Sequence, residues 1–282
     1  MKPAPFAYAR PSTLEGALSL LADDEDAKVI GGGQSLVPML NFRLARPSTL
    51  VDVRHLAELG TIARQNGSVA IGAAVTQREV EHSALVAEAV PLLKNALAHV
   101  GHVQTRSRGT IGGSLAHADP AAELPAVALA LDATLVATSA RRTREIPASE
   151  FFFGPYMTAL EPDEVLVEIR FPVANGARAS FHEVSRRAGD FAIVGIAAQV
   201  VFKGSTVVAA HLAGTGVEFA PVRFVDAEAA LVGAEVDEAT IVEAGDRAAA
   251  AVDPREDANA TPEHRRELVA ALVRRAIRGV TG

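Results

Sequence analysis

The sequence has no cysteine and no tryptophan among its 282 residues. Without cysteine it can form no disulfide, thiolate nucleophile, zinc finger or cysteine-ligated iron–sulfur cluster. The lack fits a reducing compartment, and the cytoplasm is the expected location. Aromatics are scarce, with 11 Phe and 2 Tyr, which argues against a base-stacking surface. There is no basic excess: 27 Lys and Arg face 34 Asp and Glu, a net charge of −7. Recognition of nucleic acid rests on neutralising phosphates, so no nucleic-acid partner is expected. The apolar window 121–137 is interrupted by Glu123, Pro125 and Asp132, short of the ~20 clean residues of a membrane span. The opening Met1-Lys2-Pro3-Ala4-Pro5 has no basic stretch leading into an apolar core. Neither a signal peptide nor a transmembrane segment is expected. No Gly-Lys-Ser/Thr sequence occurs, so the phosphate loop of P-loop enzymes is missing. No histidine and carboxylate grouping has metal-ligand spacing, and no metal site is expected.

What remains is the composition of a folded protein with ample core, 49% hydrophobic and 22% charged. Its length suggests about two domains at roughly 150 residues each. Residues 1–56 read as a small α/β unit. Ser12-Thr13-Leu14-Glu15 forms a capping box ahead of a helical face of Leu14, Ala17, Leu18 and Leu21. A short strand at Lys28-Val29-Ile30 meets Gly31-Gly32-Gly33-Gln34-Ser35, and a helical pattern then runs to Pro47. Leu50 to Val53 reads as a strand. Residues 57–175 read as a second unit, with a strand over 68–73, a capping box at Thr76-Gln77-Arg78-Glu79 and helix broken at Pro91. There, Asp119 is expected to cap a helix with Pro120 at its first position. Strands are expected over 134–138, 144–146 and 164–171. In residues 176–282 three strands, two joined by Lys203-Gly204-Ser205, precede helices. The last helix is capped by Thr261 and expected to stop before Gly279.

Two glycine loops carry the chemistry. The first, Gly31 to Ser35, lies between a strand and a helix, where glycine lets backbone approach an anion and free amides supply donors. It is also readable as a plain tight turn, and Leu36 stands where a dinucleotide fingerprint wants a third glycine. The second is Gly109-Thr110-Ile111-Gly112-Gly113-Ser114. Two such loops, one per unit, suit the two phosphates of a dinucleotide held in a cleft.

With Gly-Gly-Gln-Ser-Leu-Val-Pro at 32–38, Arg-Gly-Thr-Ile-Gly-Gly-Ser at 108–114, Ala-Asp-Pro-Ala-Ala-Glu at 118–123, Gly189-Asp190-Phe191-Ala192 and the helix at 265–276, the chain resembles a family. That family is the FAD-binding subunit of molybdenum-containing hydroxylases, which includes the medium subunit of carbon monoxide dehydrogenase and the flavin domain of xanthine dehydrogenase. The resemblance implies an α+β protein: a PCMH-type FAD-binding domain of two α/β subdomains, then a C-terminal domain with a three-stranded antiparallel sheet and helices. It implies that Ile30, Gly31, Gly32, Gly33, Gln34, Ser35 and Leu36 wrap the FAD diphosphate. Gly109, Thr110, Gly112, Gly113 and Ser114 would meet it from the other side. Ala73 and Thr76 would lie near the flavin end, with Val100 an apolar contact and His117 beside the second loop. Glu123 would accept from the ribose or adenine side, or else be a solvated first-turn glutamate. Leu166, the segment from His182 to Arg187, and Asp190 would flank the ring systems. Phe191 would cover the isoalloxazine, or else be ordinary core.

The same resemblance implies no catalytic residue on this chain. It implies an electron-transfer subunit, working with a large molybdopterin subunit and a small subunit bearing two 2Fe–2S clusters, as a dimer of heterotrimers. A self-contained FAD-dependent oxidase or reductase of the PCMH fold is the alternative.

Overall fold

The computed structural model describes residues 1–173 and 175–281. The first elements are β1 (Ala7–Ala9), α1 (Leu14–Asp23), β2 (Lys28–Ile30), α2 (Leu36–Asn41) and β3 (Thr49–Asp52). They form a parallel sheet in the order β1-β3-β2, with Ile30 opposite Asp52. Helix α1 is capped by Thr13, one residue later than the sequence suggests, its hydroxyl accepting from the Gly16 amide. Helix α2 stops at Asn41 rather than reaching Pro47, because Arg43 adopts a left-handed φ of 60°. Strand β1 has too short a pattern to stand out in the sequence; its pairing with β3 creates it.

The middle of the chain supplies β4 (Ile62–Gln65), β5 (Ser68–Gly72), α3 (Gln77–His82), α4 (Ala84–Ala89), α5 (Pro91–Leu97), α6 (Val103–Arg106), α7 (Ile111–His117) and α8 (Glu123–Ala130). Then come β6 (Thr134–Thr138), β7 (Thr143–Pro147), β8 (Phe152–Gly154), β9 (Met157–Thr158) and β10 (Val165–Pro172). Five strands make an antiparallel sheet, β4-β5-β10-β6-β7, while β8 and β9 pair apart as a hairpin. The capping box at Thr76 and Glu79 is present in both directions, closing the start of α3. Helix α8 begins at Glu123, not Pro120. The Asp119 carboxylate accepts from the Ala121 amide at 2.9 Å and so fixes a turn instead of capping a helix.

The last part holds β11 (Ala177–Ser185), β12 (Ala192–Lys203), β13 (Thr206–Thr215), β14 (Val222–Arg223), α9 (Val225–Leu231), α10 (Glu238–Ala250) and α11 (Pro262–Thr281). The antiparallel sheet has four strands rather than three, the fourth being the two-residue β14 on the edge. All eight residues of α8 are buried, and the helix packs against α5 and against β12 and β13. Helix α11 runs through Gly279, whose missing side chain lets it press on Ser180, with the Ser180 Cβ only 3.3 Å from where a Cβ would lie. Cores are continuous across the units. Phe181, Ala197 and Ala213 of the last sheet pack in the same cluster as Leu92, Leu97 and Val127.

Arg265 on α11 is fully buried and ties this end of the molecule together. Its guanidinium meets Asp257 at 2.6 Å and donates to the carbonyls of Ile193 and Gly216. The Gly216 amide donates in turn to Pro120 O at 2.8 Å, and the Thr215 hydroxyl lies 2.7 Å from Ala122 O. A buried cation that loses its partners, or partners that lose their cation, cost about 3–5 kcal/mol. Arg265→Ala is therefore expected to destabilise the chain by about that amount in denaturant titration, the loss appearing first in protection of the β12 and β13 amides by hydrogen exchange.

Candidate functional site

The two glycine loops touch. A Cβ built on Gly32 would stand 2.0 Å from the Arg108 carbonyl oxygen, and one on Gly31 would stand 2.9 Å from the Thr110 hydroxyl. Side chains at 31 and 32 would hold the loops apart. Gly33 is needed for a second reason, its φ of 72°. The second loop is stitched to the segment after β5: Gln77 N donates to Gly109 O, Ile111 N to Val75 O and Gly112 N to Ala73 O. Thr110 caps α7, its hydroxyl accepting from Gly113 N at 3.0 Å. Gly112 is required by the fold before any ligand is considered, since a Cβ there would lie 2.4 Å from the Ala73 Cβ.

Around this contact lies one cavity of about 780 Å³, opening to solvent. That is within the range of small-molecule and cofactor sites. Of the residues expected from the sequence, Ile30 through Leu36, Ala73, Val100, Gly109, Thr110, Gly112, Gly113, Ser114, His117, Glu123, Leu166, Asp190 and Phe191 all line it. Thr76 and Arg187 do not. The Thr76 hydroxyl is committed to Glu79, and Arg187 sits in the turn after β11, where its carbonyl accepts from Ser185 and Asp190. The cavity also takes in Gln77 and the β8–β9 hairpin through Tyr156, Met157 and Thr158. Sequence reasoning misses both. The hairpin has no pattern of its own, and Gln77 reads as the first residue of a capped helix.

The donors fit an anion and a polyol. Among the described residues, no acceptor meets the amides of Gly32, Gly33, Gln34 and Ser35. The Ser35 and Ser114 hydroxyls likewise have no partner among the described residues, although Ser35 stands at the cap of α2. The buried Gln77 Oε1 is unpaired. Buried polar groups seldom remain unpaired, so Gln77 Oε1, beside half-buried free amides and hydroxyls on the same cavity, points to a ligand.

Three titratable groups shape the walls. Glu123 is 4% exposed, and burial pushes its carboxyl up to about 8, with Glu183 and Asp119 adding like-charge repulsion. Burial holds His117 below the ordinary histidine value, so it is neutral at pH 7. Tyr156 packs against His117 with ring centres 4.9 Å apart and planes tilted by 44°, and its hydroxyl faces Asp119 at 3.4 Å. Tyr156 and Ala118, joined by an N–H to O bond of 3.0 Å, both adopt left-handed φ. Phe191, the ring that the sequence leaves between core and cover, is 60% exposed at the mouth of the cavity. It belongs to no core.

Residues 4–174 match the family described as the FAD binding domain in molybdopterin dehydrogenase, and residues 179–280 match the CO dehydrogenase flavoprotein C-terminal domain. The chain belongs to that family. Among curated relatives it is 39% identical to the 6-hydroxypseudooxynicotine dehydrogenase complex subunit alpha of Paenarthrobacter nicotinovorans, covering 98% of this chain and 95% of that one. It is 34% identical to the carbon monoxide dehydrogenase medium chain of Hydrogenophaga pseudoflava, covering 98% and 97%. Among solved structures, quinoline 2-oxidoreductase from Pseudomonas putida 86 superposes with a TM-score of 0.96 at 40% identity, covering 100% of this chain and 98% of that one. The fold is that of the carbon monoxide dehydrogenase medium subunit, an FAD-binding domain followed by a C-terminal domain with an antiparallel sheet. This is a medium, FAD-binding subunit of the molybdenum hydroxylase type and thus part of an oxidoreductase. No helix among the described residues is long and apolar enough to cross a membrane.

Ser114→Ala and Ser35→Ala remove hydroxyls that hold no other part of the protein. Each is expected to leave the melting temperature unchanged and to weaken FAD binding by about 10- to 100-fold, the worth of a hydrogen bond to a charged group. Fluorescence titration of the flavin-stripped chain measures this. Gly112→Val is expected to lower the melting temperature itself, through Ala73.

Proposed function

We propose that this chain is the electron-transfer subunit of a molybdenum hydroxylase. In this reading, electrons pass from 2Fe–2S clusters on a small partner subunit through FAD on this chain to an external acceptor. The substrate is oxidised at a molybdopterin centre on a large subunit, and the assembly is a dimer of heterotrimers in the cytoplasm. The observation that carries the reading is the pair of glycine loops meeting at one cavity, on a chain with no cysteine to bind clusters of its own. The flavin supplies a centre that takes electrons singly and releases one or two, and the protein positions and tunes it.

The chain's own residues divide this work. The free amides of 32–35 and the hydroxyls of Ser35 and Ser114 hold the diphosphate at the meeting of the loops. Ala73, Val100 and Leu166 offer apolar walls for the ring systems. Phe191, projecting from the turn before β12, covers one face of the isoalloxazine and limits access of water and dioxygen. His117, held toward its neutral form by burial and packed against Tyr156, adds little charge to its end of the cavity. The three sheets support a division at 1–56, 57–175 and 176–282, with the cavity drawing on all three.

Two experiments test this. The isolated chain is expected to bind one FAD, absorbing near about 450 nm, and to show little turnover of any organic substrate without its partners. Rapid steady turnover by the chain alone would sink the subunit reading. Phe191→Ala is expected to cost under about 0.5 kcal/mol of stability, since the ring is exposed. It should lower FAD affinity by about tenfold or less, yet change flavin fluorescence and quicken attack by sulfite. Unchanged fluorescence and reactivity would remove Phe191 from the site.

A further inference from the structure

The cavity is acidic for one that takes a dianion. Six carboxyl side chains line it (Glu25, Asp119, Glu123, Glu161, Glu164 and Asp190), against Lys28 alone among lysines and arginines of the described residues. Glu164 is matched by Arg144 at 2.7 Å. Glu123 is not matched by any cation among the described residues. It is the first residue of α8, and its carboxyl has no hydrogen-bond partner on another described residue. The charge of Glu183 on β11, whose side chain is 6% exposed, acts on Glu123 as a like charge. One Glu183 oxygen lies 3.5 Å from His99 Nδ1, and the other, Oε2, is buried and unpaired.

We propose that Glu123 serves the FAD site as an un-ionised acid that donates its hydroxyl hydrogen to the cofactor, with Glu183 as the positioning residue that keeps it so. The inference rests on the FAD-site reading above. It reverses the role that the sequence suggests for Glu123, that of an acceptor. An ionised carboxylate buried there would add its charge to a cavity that already holds five other carboxyl side chains and that would take a dianion. Each like charge disfavours ionisation, as burial itself does. A neutral carboxyl has one O–H donor, and the cofactor's hydroxyl, carbonyl and ring-nitrogen acceptors are suitable partners. Carboxylic acids held neutral at pH 7 in apolar sites act as donors elsewhere in the same way.

Most of the charged groups around Glu123 add negative charge or lie away from it; the exceptions are Lys28 on the cavity wall and His99, which faces Glu183 at 3.5 Å. Asp119 precedes it and adds negative charge. His117 on α7 is neutral at pH 7. From α5, Lys94 points to solvent, as does Glu150 before β8. Arg223 and His211 meet the far end of α8 at Leu129 O and Asp132, away from its start. Burial therefore favours the acid form of Glu123 in the free site, up to about pH 8, and a bound dianion favours it more.

If only the acid form binds FAD well, affinity is level below the free-site value and falls as pH rises past about 8, by about tenfold per pH unit. The test is titration of the flavin-stripped full chain with FAD between about pH 6 and about pH 9.5, melting temperature being followed at each pH. The native chain should show the fall. Glu123→Gln, which keeps an N–H donor and cannot ionise, should match it near pH 7 and stay level throughout. Glu183→Gln should move the fall to lower pH, which a merely structural role would not do. Ser114→Ala should weaken binding at every pH without moving the fall. Affinity that is level or rising with pH in the native chain, or a loss of more than about tenfold for Glu123→Gln at pH 7, would overturn the proposal. Absence of FAD binding at every pH would instead overturn the FAD-site reading.

Discussion

The approach of two backbones without intervening side chains decides the rest of the structure. Gly31 and Gly32 lie so close to Arg108, Gly109 and Thr110 that a methyl group on Gly32 would overlap the Arg108 carbonyl. This contact orients β2 against the segment 73–77. It leaves a row of amides at 32–35 with nowhere to donate among the described residues, and it sets α7 with its start at the junction and His117 at its far end. The walls of the cavity depend on that placement: Leu166 and Ala73 from the middle sheet, Glu123 from α8 and Phe191 from the turn before β12.

The glycine loops, the Thr76 capping box and the long strands of the last sheet are legible in the sequence, because each is a local device with its own pattern. Most of the expected site is legible for the same reason, since the loops hold most of its polar groups. One misreading shows the limit of such local devices. Asp119 reads as a helix cap although it closes a turn before α8. A side chain with a generic talent for local bonding is there given the right neighbourhood and the wrong partner. Phe191 shows the reverse limit: composition cannot tell a buried ring from an exposed one, and only the left-handed turn at Gly189, closed over His102, carries it to the cavity mouth. The hairpin with Tyr156 is invisible because its strands are two and three residues long.

Charge is distributed with equal economy. The donors that face a diphosphate are amides and hydroxyls, and among the described residues the cavity relies on a single lysine rather than an arginine cluster. Neutral donors recognise an anion by geometry, and they weaken less with salt than a basic patch would. A net charge of −7 is compatible with anion binding on those terms.

The buried Arg265 links the site to the order in which the chain is made. Every residue that lines the cavity precedes β12, yet the carbonyls of Ile193 and Gly216 are held by a guanidinium on α11. Gly216 and Thr215 in turn donate to the carbonyls of Pro120 and Ala122, the turn that leads into Glu123. During synthesis the chain therefore presents the lining of the cavity before the turn ahead of α8 is braced from behind. A ribosome-bound fragment ending before α11 has the lining of the site without that brace.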